Sequence, residues 1–260
     1  MSADANRRVP TRREPPPFRR VHVYGIEQLT PRLRRFVLGG DELDGLVIDE
    51  PAASVRLLLP VAGGLELPTW TGNQFELADG SRAPIRTFTP RHLDVDAREL
   101  TIDIVEHDSG AASDWAAAAK IGDEVAVSGP GRGYEIDTDA GGYLLAGDET
   151  AIPAIAQLVE SMPDAMPITV VVEIAGPAAR LTMPEHPTLE EHWVELPAGA
   201  EPGRTLVETV TSLDHVPPAV WVAGEAAAVQ RIRKHLFDER GMSRSEATVR
   251  GYWKHGRSAT

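Results

Sequence analysis

Tyr143-Leu144-Leu145-Ala146-Gly147-Asp148-Glu149-Thr150-Ala151-Ile152-Pro153-Ala154 is the stretch at which the chain changes character. Its first four residues make a short apolar strand, Gly147 opens a turn, and a helix is predicted from about Ala151 to Glu160. Residues 168–174 follow as a β-branched run (Ile168, Thr169, Val170, Val171, Val172), the pattern of a strand buried on both faces. Strand candidates at 192–196, 219–223 and 247–252 then alternate with helices near 204–212 and 225–240. Strand–helix alternation predicts a parallel sheet with helices on both faces, an α/β domain of nucleotide-binding type over residues 139–260. Open sheets of this kind bind ligands at the carboxyl ends of their strands, which is where Gly147 to Thr150 falls. The turn is neither a Gly-x-Gly-x-x-Gly fingerprint nor a Walker loop, and Asp148 and Glu149 would repel a phosphate, so contacts there should be to a ring or a ribose.

Before this stretch the rhythm is all-β. Residues 21–25, 32–38, 54–59, 100–107 and 124–128 read as short strands, separated by turn signals at Gly39-Gly40, Gly63-Gly64, Asp79-Gly80 and Gly129-Pro130-Gly131. In 32–38 the apolar Leu33, Phe36 and Leu38 are broken by arginines expected to face water. One helix is predicted, Ser113 to Lys120, capped by Ser113 or Ser109. Residues 21–138 therefore read as an antiparallel barrel or sandwich. Residues 1–20, with six arginines among Pro10, Pro15, Pro16 and Pro17, read as a disordered tail.

The 260 residues hold no cysteine, which excludes disulfides, iron–sulfur clusters, a thiolate nucleophile and cysteine-ligated zinc; no metal site is expected. No apolar run approaches 18 residues and the N-terminus has no apolar core, so neither membrane insertion nor secretion is expected, and the location is read as cytoplasmic. The net charge is −13. It is uneven: residues 1–20 carry +4 and residues 231–257 carry +5, leaving −22 elsewhere. Such an acidic body disfavours nucleic acid as a partner. The basic C-terminal region is either a solvated helix face or an anion site.

Three segments carry chemistry. Arg86-Thr87-Phe88-Thr89-Pro90-Arg91 offers a guanidinium fork for phosphate, a ring that can lie against a flat ligand, and hydroxyls able to meet a ring nitrogen; a plain strand with a surface arginine and a core phenylalanine is the alternative. His107-Asp108-Ser109-Gly110-Ala111-Ala112-Ser113-Asp114-Trp115 ends a strand and opens a helix through small residues that would let backbone N–H groups approach a diphosphate, although a simple capped helix explains it too. The third is the Gly147 turn.

Together these segments resemble the siderophore-interacting protein family, flavin-dependent ferric-siderophore reductases of the ferredoxin-reductase superfamily. The resemblance covers about residues 20–257. It rests on Arg86-Thr87-Phe88-Thr89 (with Phe for the superfamily's Tyr), on the His107 segment with Gly110, Ser113 and Trp115-Ala116 and the later Ile121-Gly122-Asp123-Glu124-Val125, on Gly147 to Ala154, and on Trp221-Val222-Ala223-Gly224-Glu225 through Asp238-Glu239-Arg240-Gly241 to Gly251-Tyr252-Trp253. It implies a six-stranded antiparallel FAD-binding β-barrel followed by a parallel α/β domain for NADPH or NADH. Arg86 would contact the FAD pyrophosphate, Phe88 would pack on the flavin with Thr87 beside it, and Thr89 would approach its reactive nitrogen as the catalytic residue. His107, Gly110, Ala112, Ser113 and Trp115 would surround the phosphates. Gly147, Asp148, Thr150, Gly224 and Glu225 would border the nicotinamide cleft. NADPH is favoured narrowly over NADH, with Arg180 as the 2′-phosphate partner.

The basic C-terminal region gains a role in this picture. Ferric tris-catecholate siderophores are anionic, and Arg132, Arg250, Lys254 and Arg257 are the residues expected to receive one. The function expected is FAD-dependent reduction of a ferric siderophore by a monomer, releasing Fe(II). The alternatives are a general NAD(P)H:flavin or quinone-type reductase and a non-catalytic siderophore-binding protein.

Overall fold

The computed structural model describes residues 14–106 and 110–256. His107 and Arg257 therefore lie outside the described residues.

The first domain is built on one antiparallel sheet. Its strands are β1 (Arg19–Gln28), β2 (Leu33–Gly39), β3 (Val55–Leu58), β6 (Ile85–Phe88), β7 (Pro90–Asp94), β8 (Glu99–Val105) and β9 (Glu124–Ser128), with a small β4–β5 hairpin (Thr69–Trp70 and Phe75–Glu76) outside it. The spatial order is β6-β3-β9-β1-β2-β8-β7. The two edge strands, β6 and β7, are consecutive in the chain with only Thr89 between them. Adjacent Cα atoms sit about 3.8 Å apart, so the sheet has to curl until its edges meet. This is the expected barrel, formed as a curled half-barrel. It has seven strands rather than six because the segment Ile85–Asp94 is broken at Thr89 into two.

Alternation places Val21, Val23, Phe36, Leu38, Leu100, Ile102, Ile104, Val125 and Val127 inside the curl. The arginines of β2 do not simply face water. Arg35 makes a two-pronged bond to the buried Asp103 at 2.7 and 2.8 Å, and Arg34 donates to the carbonyl of Ala116 at 2.6 Å. α1 (Ala111–Ala118) begins two residues before the predicted start, after Gly110 at φ 131, a conformation that favours glycine. β1 also starts early, so Arg19 and Arg20 of the expected tail belong to the sheet.

The second domain is a five-stranded parallel sheet of β10 (Tyr143–Asp148), β11 (Ile168–Ile174), β12 (Leu189–Glu195), β13 (Ala219–Glu225) and β14 (Ala247–Trp253), in the order β12-β11-β10-β13-β14. The chain runs outward from β10 to β12 and then returns to the other side of β10, which makes the β10/β13 boundary the topological switch point. α2 (Ile152–Ser161) covers one face over Leu145, Val170, Val172 and Trp221. α3 (Arg204–Ser212) and α4 (Ala226–Lys234) cover the other over Leu144, Ala146, Val171 and Val222. The predicted 225–240 helix is α4 plus a π-helical turn at His235–Glu239.

The domains meet along α2. Gln157 accepts from the Ala52 N–H at 2.9 Å and donates to the Pro90 carbonyl at 2.8 Å, while both terminal nitrogens of Arg91 donate to Glu160. Ala52 is part of the second domain's core, and Tyr134 and Ile136 of the connecting segment pack against it. No helix among the described residues is long and apolar enough to cross a membrane.

Candidate functional site

The barrel's contribution is set by the break at Thr89. β6 pairs with β3, with Arg86 opposite Leu57 and Phe88 opposite Val55. Phe88 rests half-buried on the barrel core, Thr87 is exposed, and Thr89 is 7% exposed. The Arg86 guanidinium is part-buried and donates to the Ile85 carbonyl at 2.9 Å; burial lowers its pKa. α1 starts at Gly110 with Ala111, Ala112 and the buried Ser113 in its first turn, and no side chain among the described residues caps it. Trp115 packs against Phe36 at 4.8 Å between centroids, so its place is in the barrel wall.

A flavin dinucleotide asks for a cation and open backbone N–H groups for its diphosphate, and for an apolar shelf with one polar group for its ring. Arg86, the start of α1 with its small first-turn residues, Phe88 and Thr89 supply that set. The residues present fit FAD.

The second domain behaves differently at its strand ends. Asp148 is buried at the switch point. Its Oδ1 accepts from the Thr150 N–H and hydroxyl; its Oδ2 accepts from the Glu225 N–H and the Trp253 indole, both at 2.8 Å. Burial raises its pKa against the pull of those bonds. Glu225 caps α4 by accepting from Ala227 and Ala228 N–H at 2.6 and 2.9 Å. The two glycines are required by this packing. A Cβ on Gly224 would lie 2.6 Å from Asp148 Oδ2, and one on Gly147 would lie 2.4 Å from the Ala151 Cβ. Gly147, Asp148, Gly224 and Glu225 thus pack against one another and against Ala151, Ala223 and Trp253 at the strand ends.

What the second domain presents toward the barrel is aromatic. Tyr252 extends from the end of β14, its hydroxyl 3.4 Å from Thr89 Oγ1 and its ring edge-on to Trp221 at 6.3 Å. Burial pushes its phenol up. Trp253, beside it, is pinned by Asp148. This contact brings the Arg86–Thr89 segment against the end of the parallel sheet. Tyr252 and Trp253 stood in the sequence as part of a motif without a role of their own; in the structure Trp253 pairs with Glu225 and Tyr252 falls at the register shift between β13 and β14.

The basic residues divide. Arg250 donates to the Gly133 carbonyl at 2.8 Å and the Ala52 carbonyl at 3.4 Å, tying β14 to the first domain and the connecting segment. Lys254 and Arg132 are exposed. Arg180 lies over the Trp193 ring at 5.5 Å and is 3.7 Å from Glu191, so it too has partners within the chain.

Comparison with known proteins agrees with this geometry. Residues 22–134 match the model of the siderophore-interacting FAD-binding domain, and residues 140–256 match that of the siderophore-interacting protein. The solved siderophore utilization protein from T. fusca is 33% identical, with a TM-score of 0.84 over 95% of this chain and 97% of that one. The ferric vibriobactin reductase ViuB of Vibrio cholerae is 29% identical over 90% of this chain and 93% of its own. Phthalate dioxygenase reductase, 16% identical with a TM-score of 0.61 over 94% of this chain and 70% of that one, shares the fold alone. With both domains matched in order and the cleft between them built as described, the chain belongs to the siderophore-interacting protein family.

Proposed function

We propose that the protein is an FAD-dependent reductase that takes electrons from a reduced pyridine nucleotide and delivers them to a ferric siderophore, releasing Fe(II) in the cytoplasm. The observation that carries this reading is the meeting of Thr89 with Tyr252, which sets the flavin segment of the barrel against the strand ends of the second domain. A relative named as a ferric vibriobactin reductase supports the acceptor class.

FAD held there would supply two-electron acceptance and one-electron delivery, the chemistry by which one hydride equivalent could serve two Fe(III) ions. Arg86 and the first turn of α1, with Gly110, Ala112 and Ser113, would hold the diphosphate. Phe88 would support the flavin ring, and the Thr89 hydroxyl would be the polar group offered to it. Thr150, Tyr252 and Trp253 face the donor's nicotinamide and exclude water from it. Lys254, Arg132 and Arg257 attract the anionic chelate. Fe(III) is the substrate's own metal, held by siderophore oxygens, and loses affinity for them on reduction.

Anaerobic stopped-flow mixing of the yellow protein tests this reading. Bleaching by NADH or NADPH and recovery by a ferric tris-catecholate complex are expected. A colourless protein that takes up no FAD would remove the enzyme, and recovery no faster with ferric chelate than with free flavin or quinone would favour a general reductase.

A further inference from the structure

One row of side chains crosses the outer face of the barrel and ends in the flavin segment. Arg56 of β3 stands opposite Thr87 of β6 on one side and opposite Ser128 of β9 on the other. Val55, Leu57 and Val127 point into the core, so strand alternation turns Arg56 and Ser128 outward, and Thr87 shares the face of its partner. Phe18 extends the row: it precedes Arg19, which pairs with Val127, and so falls beside Ser128. With strands about 4.8 Å apart, Phe18 lies about 14 Å from Thr87. The far end of the row is aromatic. Phe75 of the β4–β5 hairpin meets Phe18 edge-on at 5.2 Å between centroids, and Trp70 lies 5.0 Å from Phe75. Two bonds hold these rings in place. The Ser128 hydroxyl donates to the Pro16 carbonyl at 2.6 Å, and the Ala83 N–H, two residues before β6, donates to the Phe75 carbonyl at 3.2 Å. Phe18, Trp70 and Phe75 are only half-buried, so each keeps part of its ring open. Arg56, between the rings and Thr87, is also half-buried and has no hydrogen-bond or ion-pair partner among the described residues.

We propose that Phe18, Trp70 and Phe75 seat the aryl rings of the ferric chelate, so that the protein prefers ring-bearing, catecholate-type acceptors over ring-free ones. This rests on the reductase reading above and adds the acceptor's class to it. Aromatic rings meet other rings edge-on or offset, and an unpaired guanidinium beside them attracts an anion. A tris-catecholate complex carries both rings and negative charge, whereas an aliphatic hydroxamate or aminocarboxylate complex has no ring to place. The adenine of FAD is the competing ring. Alternation, however, puts Arg86, the residue proposed for the cofactor's phosphates, on the face of β6 shared with Leu57 and Phe88, opposite to that of Thr87. Arg86 therefore leaves the strand on the side away from the row. Because β6 is an edge strand, a chelate lying on the row borders the flavin segment at the rim of the sheet.

The test uses the FAD-loaded full chain and three acceptors: a ferric tris-catecholate, a ferric aliphatic trihydroxamate, and ferric EDTA as an anionic complex without rings. Phe75→Leu and Trp70→Leu each remove a ring without changing charge. Each should raise KM for the tris-catecholate about fivefold, with kcat held within about twofold, and leave KM for the other two acceptors unchanged. Trp70→Phe keeps a ring and should keep the wild-type KM. Titration of the oxidised protein with the tris-catecholate gives a second readout, through quenching of tryptophan emission; both leucine variants should weaken that binding about fivefold. An equal rise in KM for all three acceptors, or no rise for the tris-catecholate, would overturn the proposal. So would a loss of FAD affinity in Phe75→Leu, which would give the rings to the cofactor's adenine. If no chelate reoxidises the wild-type flavin, the reductase reading fails, and the quenching titration still decides whether the rings hold the chelate.

Discussion

Asp148 is the residue on which the second domain's end depends most. Four donors converge on its carboxylate, from Thr150, Glu225 and Trp253. An amide there would turn its NH2 toward two of them. Asp148→Asn is expected to cost about 3 kcal/mol in urea unfolding and to change Trp253 emission. Titration adds a sign. Burial raises the pKa of Asp148, Glu149 and Glu173, so the folded state binds their protons more tightly than the unfolded chain. Their contribution to stability falls as pH rises from about 4 through the raised values and is level above them; a pH series of urea unfolding, compared with Glu173→Gln, should show the slope diminish in the variant. Tyr252 gives a functional counterpart. Its phenol is kept protonated by burial and faces Thr89 from the other domain, close to the residue where the family's flavin motif has lost a phenol to Phe88. Tyr252→Phe should retain FAD and slow flavin reduction by up to about tenfold, the worth of one neutral hydrogen bond. The glycines show what single residues reveal in sequence: Gly147 and Gly224 marked a tight place, but only coordinates show that Asp148, Ala151 and Ala223 fill it.

Among elements, the helix α2 does the joining. One side packs on the parallel sheet, and Gln157 projects from it to satisfy Ala52 and Pro90 of the barrel with both ends of one amide. Gln157→Leu leaves a backbone N–H and a carbonyl without that partner and should lower stability by about 2 kcal/mol, with the calorimetric transition broadening as the domains uncouple. The elements that sequence located best are those whose pattern is local. β9, β11 and α3 have the expected bounds because a β-branched run or a helical stripe needs no distant partner to be recognised. The β4–β5 hairpin was not visible because its strands have two residues each, too short for any period. The break at Thr89 was not visible either. It comes from closing the curl of the sheet, in which β7 forms a hairpin with the next strand β8 while β6 pairs with β3, some thirty positions earlier in the sequence. The site inherits both facts: its residue types were legible, while the meeting of Thr89 with Tyr252 is a product of domain packing across 163 positions of sequence.

At the scale of the whole molecule, charge and architecture divide the work of the basic C-terminal region. The acidic body should repel an anionic chelate, and a net charge of −13 gives local cations a large task. Arg250 and Lys254 were both expected to receive the chelate, but the fold gives them different surroundings. Arg250 spends its donors on Gly133 and Ala52 and so fastens β14 to the first domain, whereas Lys254 stands exposed just past the strand. Arg250→Ala should therefore lower stability by about 2 kcal/mol, through two backbone carbonyls that lose a charged donor. Lys254→Ala should leave stability within about 0.5 kcal/mol, as exposed substitutions do, and raise KM for a ferric tris-catecholate with kcat held. Because an exposed cation acts through solvent, the KM difference between wild type and Lys254→Ala should shrink as ionic strength rises toward 1 M, where the screening length is about 3 Å. A KM effect for Lys254→Ala that is indifferent to salt would mean a packed contact rather than steering. A KM effect for Arg250→Ala at unchanged stability would place that guanidinium on the chelate and not on the domain interface.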